Sequence, residues 1–311
     1  MEKQNKPVYS VVIPVYNEEG CIDKLIKEIK NVFVKIGSSY EIIIVNDGST
    51  DKTEEVLKNI KGIKIIKFRK NFGQSASLGT GTKEAKGKFV ITLDGDGQND
   101  PADFQNLISK LSEGYDVVCG WRHKRKDSFE KIIVSRVARG LRSLLVDDKV
   151  HDAGCTLRIF KKECFNDFDL KGEMHRMIPA VLRWRGFKIT EIKVNHRPRT
   201  TGVSKYGTSR MIKGFLDMLL IWFTRKYNSR PLHLFGGAGL FLIFFSSLLL
   251  VFLAVMRLFY GYELSDKIWP LVGMMGFLTG LQLLVSGILA DLIVNNNTKE
   301  KSWMIENIKE N

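Results

Sequence analysis

This 311-residue chain has no glycine-rich phosphate loop: no G-x-G-x-x-G follows its first apolar run, and no G-x-x-x-x-G-K-[ST] occurs. Both absences remove the main support for dehydrogenase and P-loop readings, which bind phosphate through such backbone cradles. Cysteine is scarce as well. Cys21, Cys119, Cys155 and Cys164 show neither paired zinc spacing nor a secretory context, so reduced thiols in a cytoplasmic domain are expected. There is no internal repeat, no low-complexity tract and no obvious Ser-His-Asp or paired-carboxylate hydrolase arrangement. Acidic residues are outnumbered, 34 against 48 Lys and Arg, for a formal net charge of +14. Residues 231–311 hold five Lys/Arg and six Asp/Glu, so the basic excess belongs to the first 230 residues. No nucleic-acid recognition motif accompanies that charge, and a domain tethered beside anionic lipid headgroups is the nearer explanation.

Long apolar runs are confined to the C-terminal part. An uncharged stretch between Arg230 and Arg257 and a second from Ile268 to Ala290 are each long enough to cross a bilayer. Neither is N-terminal, so a cleaved signal peptide is not expected. The connecting loop from Arg257 to Lys267 balances two basic and two acidic residues, whereas Arg210, Lys213, Arg225, Lys226 and Arg230 crowd the entrance of the first span. By the positive-inside rule both termini of this multi-pass chain lie in the cytoplasm, with a short hairpin loop outside. Residues 128–146 place Ile133, Val137, Leu141 and Leu144 at helical spacing, with Lys131, Arg136, Arg139 and Arg142 on other faces, which predicts a basic amphipathic helix at the membrane surface. The expected organisation is a cytoplasmic domain over 1–207, an interface helix over 208–230, spans at 231–257 and 268–291, and a polar tail over 295–311.

In the first part of the chain, strands alternate with helices. Tyr9 to Glu18 reads as a buried strand stopping at Pro14, followed by a helix from near Glu19, and Tyr40 to Thr50 as a strand ending in an acidic turn. A helix near 52–60, an apolar run at 63–68, a helix at 75–83 and a strand at 89–93 follow, which predicts an α/β fold with a mostly parallel, Rossmann-like sheet covered on both faces. Ligands bind outside the carboxyl ends of such strands. Three consecutive ends carry Asn17 and Glu18, Asp47, and Asp94 with Asp96. Two carboxylates one residue apart, between Gly95 and Gly97, suit Mg²⁺ or Mn²⁺ held against a diphosphate.

Pro14-Val-Tyr-Asn-Glu18, Val45-Asn-Asp-Gly-Ser49 and Asp94-Gly-Asp-Gly-Gln98 resemble the successive motifs of family 2, GT-A fold glycosyltransferases. Gly120-Trp-Arg122, Asp152-Ala-Gly-Cys-Thr-Leu-Arg158, Gly172-Glu-Met-His-Arg176 and Arg199 to Tyr206 narrow the resemblance to polyprenyl-phosphate glycosyltransferases, the group that includes dolichyl-phosphate mannose synthase. The two C-terminal spans are similar to those of bacterial enzymes that charge undecaprenyl phosphate with glucose or a modified sugar. The resemblance implies that Pro14, Tyr16, Asn17, Glu18 and Asp47 bind the donor nucleoside, with Asp47 on the base. It further implies that Asp94 lies near ribose and sugar and that Asp96, helped by Gln98, coordinates the metal.

Arginine forks suit phosphate, so Arg122, Arg136 and Arg158 are candidates for the lipid phosphate, with Ser204 beside them. Lys205, on a Gly-containing loop, would contact the donor diphosphate or the incoming phosphate. Glu173, His175 and Arg176 would border the sugar, His175 being a possible base or a structural histidine. The expected reaction is inverting transfer from a nucleotide sugar, with UDP-glucose preferred, to undecaprenyl phosphate, which is already ionised near neutral pH and needs no strong base. The family resemblance also implies a homo-oligomer, a tetramer being one form. GDP-mannose is the alternative donor. A processive polysaccharide synthase fits less well, since Arg183-Trp184 matches its Q-x-x-R-W motif but Ala180 stands at the Gln position. A nucleotide-sugar-binding membrane scaffold without activity and a transferase with a soluble acceptor complete the alternatives.

Overall fold

A computed structural model describes residues 6–123, 140, 150–166, 168–170, 172, 174–198, 209–227, 230–264 and 267–296. They form two compact units, divided between Leu219 and Leu220. The first is built on a seven-stranded sheet: β1 (Tyr9–Val15), β2 (Tyr40–Asn46), β3 (Lys64–Lys67), β4 (Phe89–Thr92), β5 (Val117–Trp121), β6 (Arg158–Lys161) and β7 (Ile189–Lys193). Its order is β3-β2-β1-β4-β6-β5-β7. The pairs β1–β2, β1–β4, β2–β3 and β5–β7 are parallel, while β6 runs antiparallel to both of its neighbours.

The central strands are apolar on both faces because both faces are covered. Val11, Ile13 and Val15 of β1 and Ile42 and Ile44 of β2 pack against α1 (Ile22–Ile36), through Leu25, Ile26, Ile29 and Phe33. Phe104, Leu107 and Leu111 of the helix Phe104–Ser112 join the same layer. Alternate residues, Val12, Ile43 and Val45, face the other layer, which includes Leu78, Phe165, Ile178 and Leu182. The short helix Thr53–Lys58 is α2, and α3 (Gln74–Glu84), α4 (Phe104–Ser112) and α5 (Ile178–Trp184) follow it along the chain.

Strand β1 does not stop at Pro14; it continues to Val15, with Pro14 in register with Val45. The Val15 carbonyl accepts from Asp47 on the β2 side and the Val12 carbonyl from Leu93 on the β4 side, so Pro14, two residues on from Val12, faces β4. Pairing with β4 has already ended at Val12 opposite Thr92, and no donor is needed there. Helix α1 starts at Ile22 rather than near Glu19, because Glu18 and Glu19 are tied to the next loop.

Helix α6 (Ser209–Tyr227) is followed in the second unit by α7 (Pro231–Tyr260) and α8 (Trp269–Asn296). Both are long and apolar enough to cross a membrane, and only 17% and 11% of their most apolar windows are buried. Phe241, Phe244, Leu248, Phe252, Leu278 and Ile293 stand exposed, an apolar surface far larger than a water-soluble protein displays. The two helices pack backbone to backbone where side chains are absent: a Cβ on Gly239 would lie 2.6 Å from the Gly280 carbonyl oxygen, and one on Gly280 would lie 2.7 Å from that of Gly239. Gly239→Leu is therefore expected to lower the stability of the helix pair by about 1–3 kcal/mol through overpacking. Gly237→Leu, where a Cβ meets nothing within 4 Å, is the neutral control. Thermal melts of the two variants in detergent micelles check this, and equal melting temperatures would refute the close packing.

Candidate active site

The carboxyl ends of β1, β2 and β4 lie side by side, and the loops that leave them are laced together. Asn17 adopts a left-handed backbone, φ +57°, which its side chain compensates by local hydrogen bonding. Its amide donates to Ser49 Oγ at 3.0 Å and its Oδ1 accepts from the Thr50 amide at 2.8 Å. The Glu18 amide donates to Thr53 Oγ1 at 2.9 Å, and Asn46 Oδ1 accepts from the Ser49 amide at 2.9 Å. The first two motifs thus form one rigid lip. Asp47 is buried, and its carboxylate accepts from the backbone amides of Phe72 at 2.7 Å and Gly73 at 2.9 Å. This side chain holds the loop that enters α3, a contact no motif spacing announced.

The loop after β4 brings the paired carboxylates against this lip. A Cβ on Gly95 would sit 3.0 Å from Val15 Cγ2 and 3.2 Å from the Pro14 carbonyl, so only glycine lets the Asp94–Asp96 backbone approach β1 so closely. Asp96 Oδ1 accepts from the Gln98 amide at 3.1 Å, which turns the chain. Asp94 Oδ1 accepts from Gln74 Nε2, on the first residue of α3, at 2.5 Å. Burial, and then the neighbouring charge of Asp96, push the Asp94 carboxyl up to about 6, against the opposing pull of a Thr156 hydrogen bond, Arg122 and Arg158. An arrangement that strains against its own negative charge is chemically suited to a cation. Among the described residues no group of three or more His, Cys, Asp and Glu converges, so a metal here would draw on these two carboxylates and on phosphate oxygens.

The two described arginine candidates flank Asp94. Arg122 grips Asp152 through Nε at 2.7 Å and Nη2 at 2.9 Å, a bidentate pair only 13% and 12% exposed. Burial works against its charge, but the Asp152 hydrogen bonds and charge outweigh it and raise its pKa above the ordinary arginine value. Arg158, on β6 opposite Thr92, is 2% exposed and donates to the carbonyls of His175 at 3.0 Å and Ala153 at 2.6 Å. Its Nε has no hydrogen-bond partner among the described residues. His175 is buried, with Nδ1 3.0 Å from Ser75 Oγ, which in turn accepts from the His175 amide at 3.1 Å. A cavity of about 310 Å³ lined by Trp121, His151, Arg183, Glu191 and their neighbours contains none of the acidic-loop residues. The carboxylates instead lie beyond the carboxyl end of β4.

Residues 10–168 match the profile of glycosyl transferase family 2. The chain belongs to that family. It is 36% identical over 302 residues to a dodecaprenyl-phosphate galacturonate synthase of Rhizobium johnstonii, covering 93% of this chain and 89% of that protein. An undecaprenyl-phosphate 4-deoxy-4-formamido-L-arabinose transferase of Pseudomonas aeruginosa is 31% identical over 290 residues, covering 91% and 84%. Among solved structures, glucosyl-3-phosphoglycerate synthase from Mycobacterium tuberculosis, in complex with Mn²⁺, UDP and phosphoglyceric acid, superposes with a TM-score of 0.55 at 18% identity, covering 70% of this chain and 78% of that one. That likeness shows the GT-A fold.

Within this glycosyltransferase, Pro14 lies near the end of β1, Tyr16, Asn17, Glu18, Asp47, Asp94, Asp96 and Gln98 lie on the three adjoining loops, and Arg122, Arg158 and His175 reach the same end of the sheet. Arg176 follows His175 in a short 3₁₀ turn. Arg136, Glu173, Ser204 and Lys205 lie outside the described residues, as does the 128–146 segment apart from Gly140. Gln74, Asp152 and Thr156 take part in the site and were not singled out individually by sequence reasoning. Gln74 starts a helix and Thr156 sits in an apolar stretch, and nothing in their spacing reports contact with Asp94.

The Asp94 shift has a testable sign. Its folded pKa of about 6 exceeds the unfolded value, so between about pH 4 and 6 the metal-free folded state binds more protons and loses stability as pH rises. Asp94→Asn in chelator should therefore be stabilised by about 1–2 kcal/mol at pH 7.5, with the gain vanishing below about pH 4. Thermal melts across that range check it, and a gain independent of pH would remove the charge strain from the account.

Proposed function

We propose that this chain transfers a single sugar from a UDP-sugar to a polyprenyl phosphate of the undecaprenyl class, with inversion, at the cytoplasmic face of a bacterial inner membrane. The observation that carries the reading is the paired carboxylate lip of a GT-A fold in a chain that matches polyprenyl-phosphate sugar transferases over nine-tenths of its length, apolar helices included. The galacturonate and formamido-arabinose named in those relatives favour a modified sugar over the plain glucose expected from sequence.

In this reading Tyr16, Asn17, Glu18 and Asp47 shape the nucleoside end of the cleft, Asp47 chiefly by holding the 72–73 backbone. Asp94 faces the ribose and sugar, oriented by Gln74. Asp94 and Asp96, with Gln98, would hold Mg²⁺ or Mn²⁺ on the diphosphate, and the chemistry such an ion supplies is Lewis-acid neutralisation of leaving-group charge. A lipid phosphate oxygen forms the new bond to the anomeric carbon as the bond to the diphosphate oxygen breaks, the electron pair departing with UDP. Because the attacking phosphate is already ionised, no residue need remove a proton. Arg122 and Arg158 set a positive potential behind the reacting centre, their geometry held by Asp152 and by main-chain carbonyls. Arg136, Ser204 and Lys205 remain the candidates for direct contact with the acceptor, and Glu173, His175 and Arg176 for the sugar. Homo-oligomerisation belongs to the same proposal.

Purified protein incubated with Mg²⁺ or Mn²⁺, undecaprenyl phosphate and a panel of UDP- and GDP-sugars should yield one glycosylated lipid phosphate, identified by mass. Asp96→Ala should lower turnover by about 10²-fold or more, as expected for removal of a preorganised electrostatic group. If no sugar reaches the lipid from any donor, the proposal fails; if only GDP-mannose serves, the base assignment falls.

A further inference from the structure

The loop between β3 and α3 is held from both sides by the acidic motifs. Asp47 at the end of β2 takes the amides of Phe72 and Gly73, at 2.7 and 2.9 Å, and Asp94 at the end of β4 takes the Gln74 side chain at 2.5 Å. The turn at Gly48, φ +69°, presses on the same loop, since a Cβ there would lie 2.5 Å from the Lys70 carbonyl carbon and 2.8 Å from the Asn71 nitrogen. A backbone fixed this firmly carries a side chain that is left out in solvent: Phe72 is 56% exposed. Among the residues of the first unit whose side chains are described it is the only exposed Phe, Tyr or Trp. Single exposed apolar residues are common and mean little by themselves. What distinguishes Phe72 is that Asp47 fixes its main chain while Asp94 holds the side chain of Gln74 two residues on, and that its ring has Phe68 edge-on at 5.6 Å and the Lys70 ammonium over it at 5.3 Å.

We propose that Phe72 is the stacking platform for the nucleoside base of the donor. This rests on the donor-site reading above and adds to it the residue that grips the base. An aromatic ring held at a site that binds a nucleotide offers a flat apolar face, which recognises a base by stacking and tolerates either base class. Asp47, with both carboxylate oxygens engaged by this loop, acts on the base as a positioning residue through Phe72.

The test is calorimetric titration of UDP, with Mn²⁺, into the full chain in detergent micelles, for wild type and for Phe72→Trp, Phe72→Leu and Phe72→Ala, with thermal melts to establish folding. Stacking is worth about 1–3 kcal/mol per base, so alanine and leucine should each weaken UDP about 5- to 100-fold while tryptophan stays within about threefold of wild type. Leucine binding as tightly as tryptophan would assign the ring to loop packing and overturn the proposal. Unchanged affinity in all three variants would overturn it too, while leaving the donor site in place. Absence of UDP binding to wild type, with GDP equally inert, would bring down the donor-site reading and this inference with it.

Discussion

Two carboxylates one residue apart, at the end of a strand buried on both faces, are the constraint around which the first unit is arranged. Burial raises the protonation of Asp94, and the neighbouring charge of Asp96 raises it further, so Asp94 is held near 6 even with Arg122, Arg158 and Thr156 pulling the other way. The surroundings read as responses to that strain. Gln74 donates to one Asp94 oxygen, the glycine at 95 lets the turn settle against β1, and the antiparallel strand β6 brings Arg158 opposite Thr92 at the strand's end. A cation on a diphosphate would complete the neutralisation, which links the fold's least comfortable feature to the chemistry proposed for it.

In the structure both arginines are engaged by the protein's own groups. Arg122 is forked onto Asp152, and the loop carrying Asp152 is itself bound to Glu191, whose carboxylate accepts the amides of His151 at 2.9 Å and Asp152 at 3.3 Å. Arg158 is sealed in by carbonyls. Buried pairs of this sort contribute little net stability, because desolvation offsets their attraction. The second unit follows different physics. Its helices expose most of their apolar surface and meet through glycines, which is the way helices associate where the surrounding medium is itself apolar.

Much of this organisation is legible along the chain. Apolar runs ending in Asn17–Glu18, Asp47 and Asp94–Asp96 report parallel strands with a common functional edge, because side-chain period and strand direction are local properties. The two apolar helices are equally plain, since length and hydropathy alone define them. Local pattern misjudged Pro14 as a strand end and Glu19 as a helix start, because the ladder's end at Val12 and the ties from Asn17 to Ser49 and Glu18 to Thr53 are contacts with distant segments.

What the sequence by itself determined is therefore the first four strands with the helices between them, the acidic edge and the apolar pair, all consequences of short-range periodicity and composition. Only tertiary structure decided that β6 inserts antiparallel between β4 and β5, that Asp47 spends its carboxylate on the Phe72 and Gly73 amides, and that Arg122 answers to Asp152 thirty residues away. The reason is physical: a hydrogen bond across a fold depends on where two backbones are carried by packing, and no spacing within either segment encodes the distance between them.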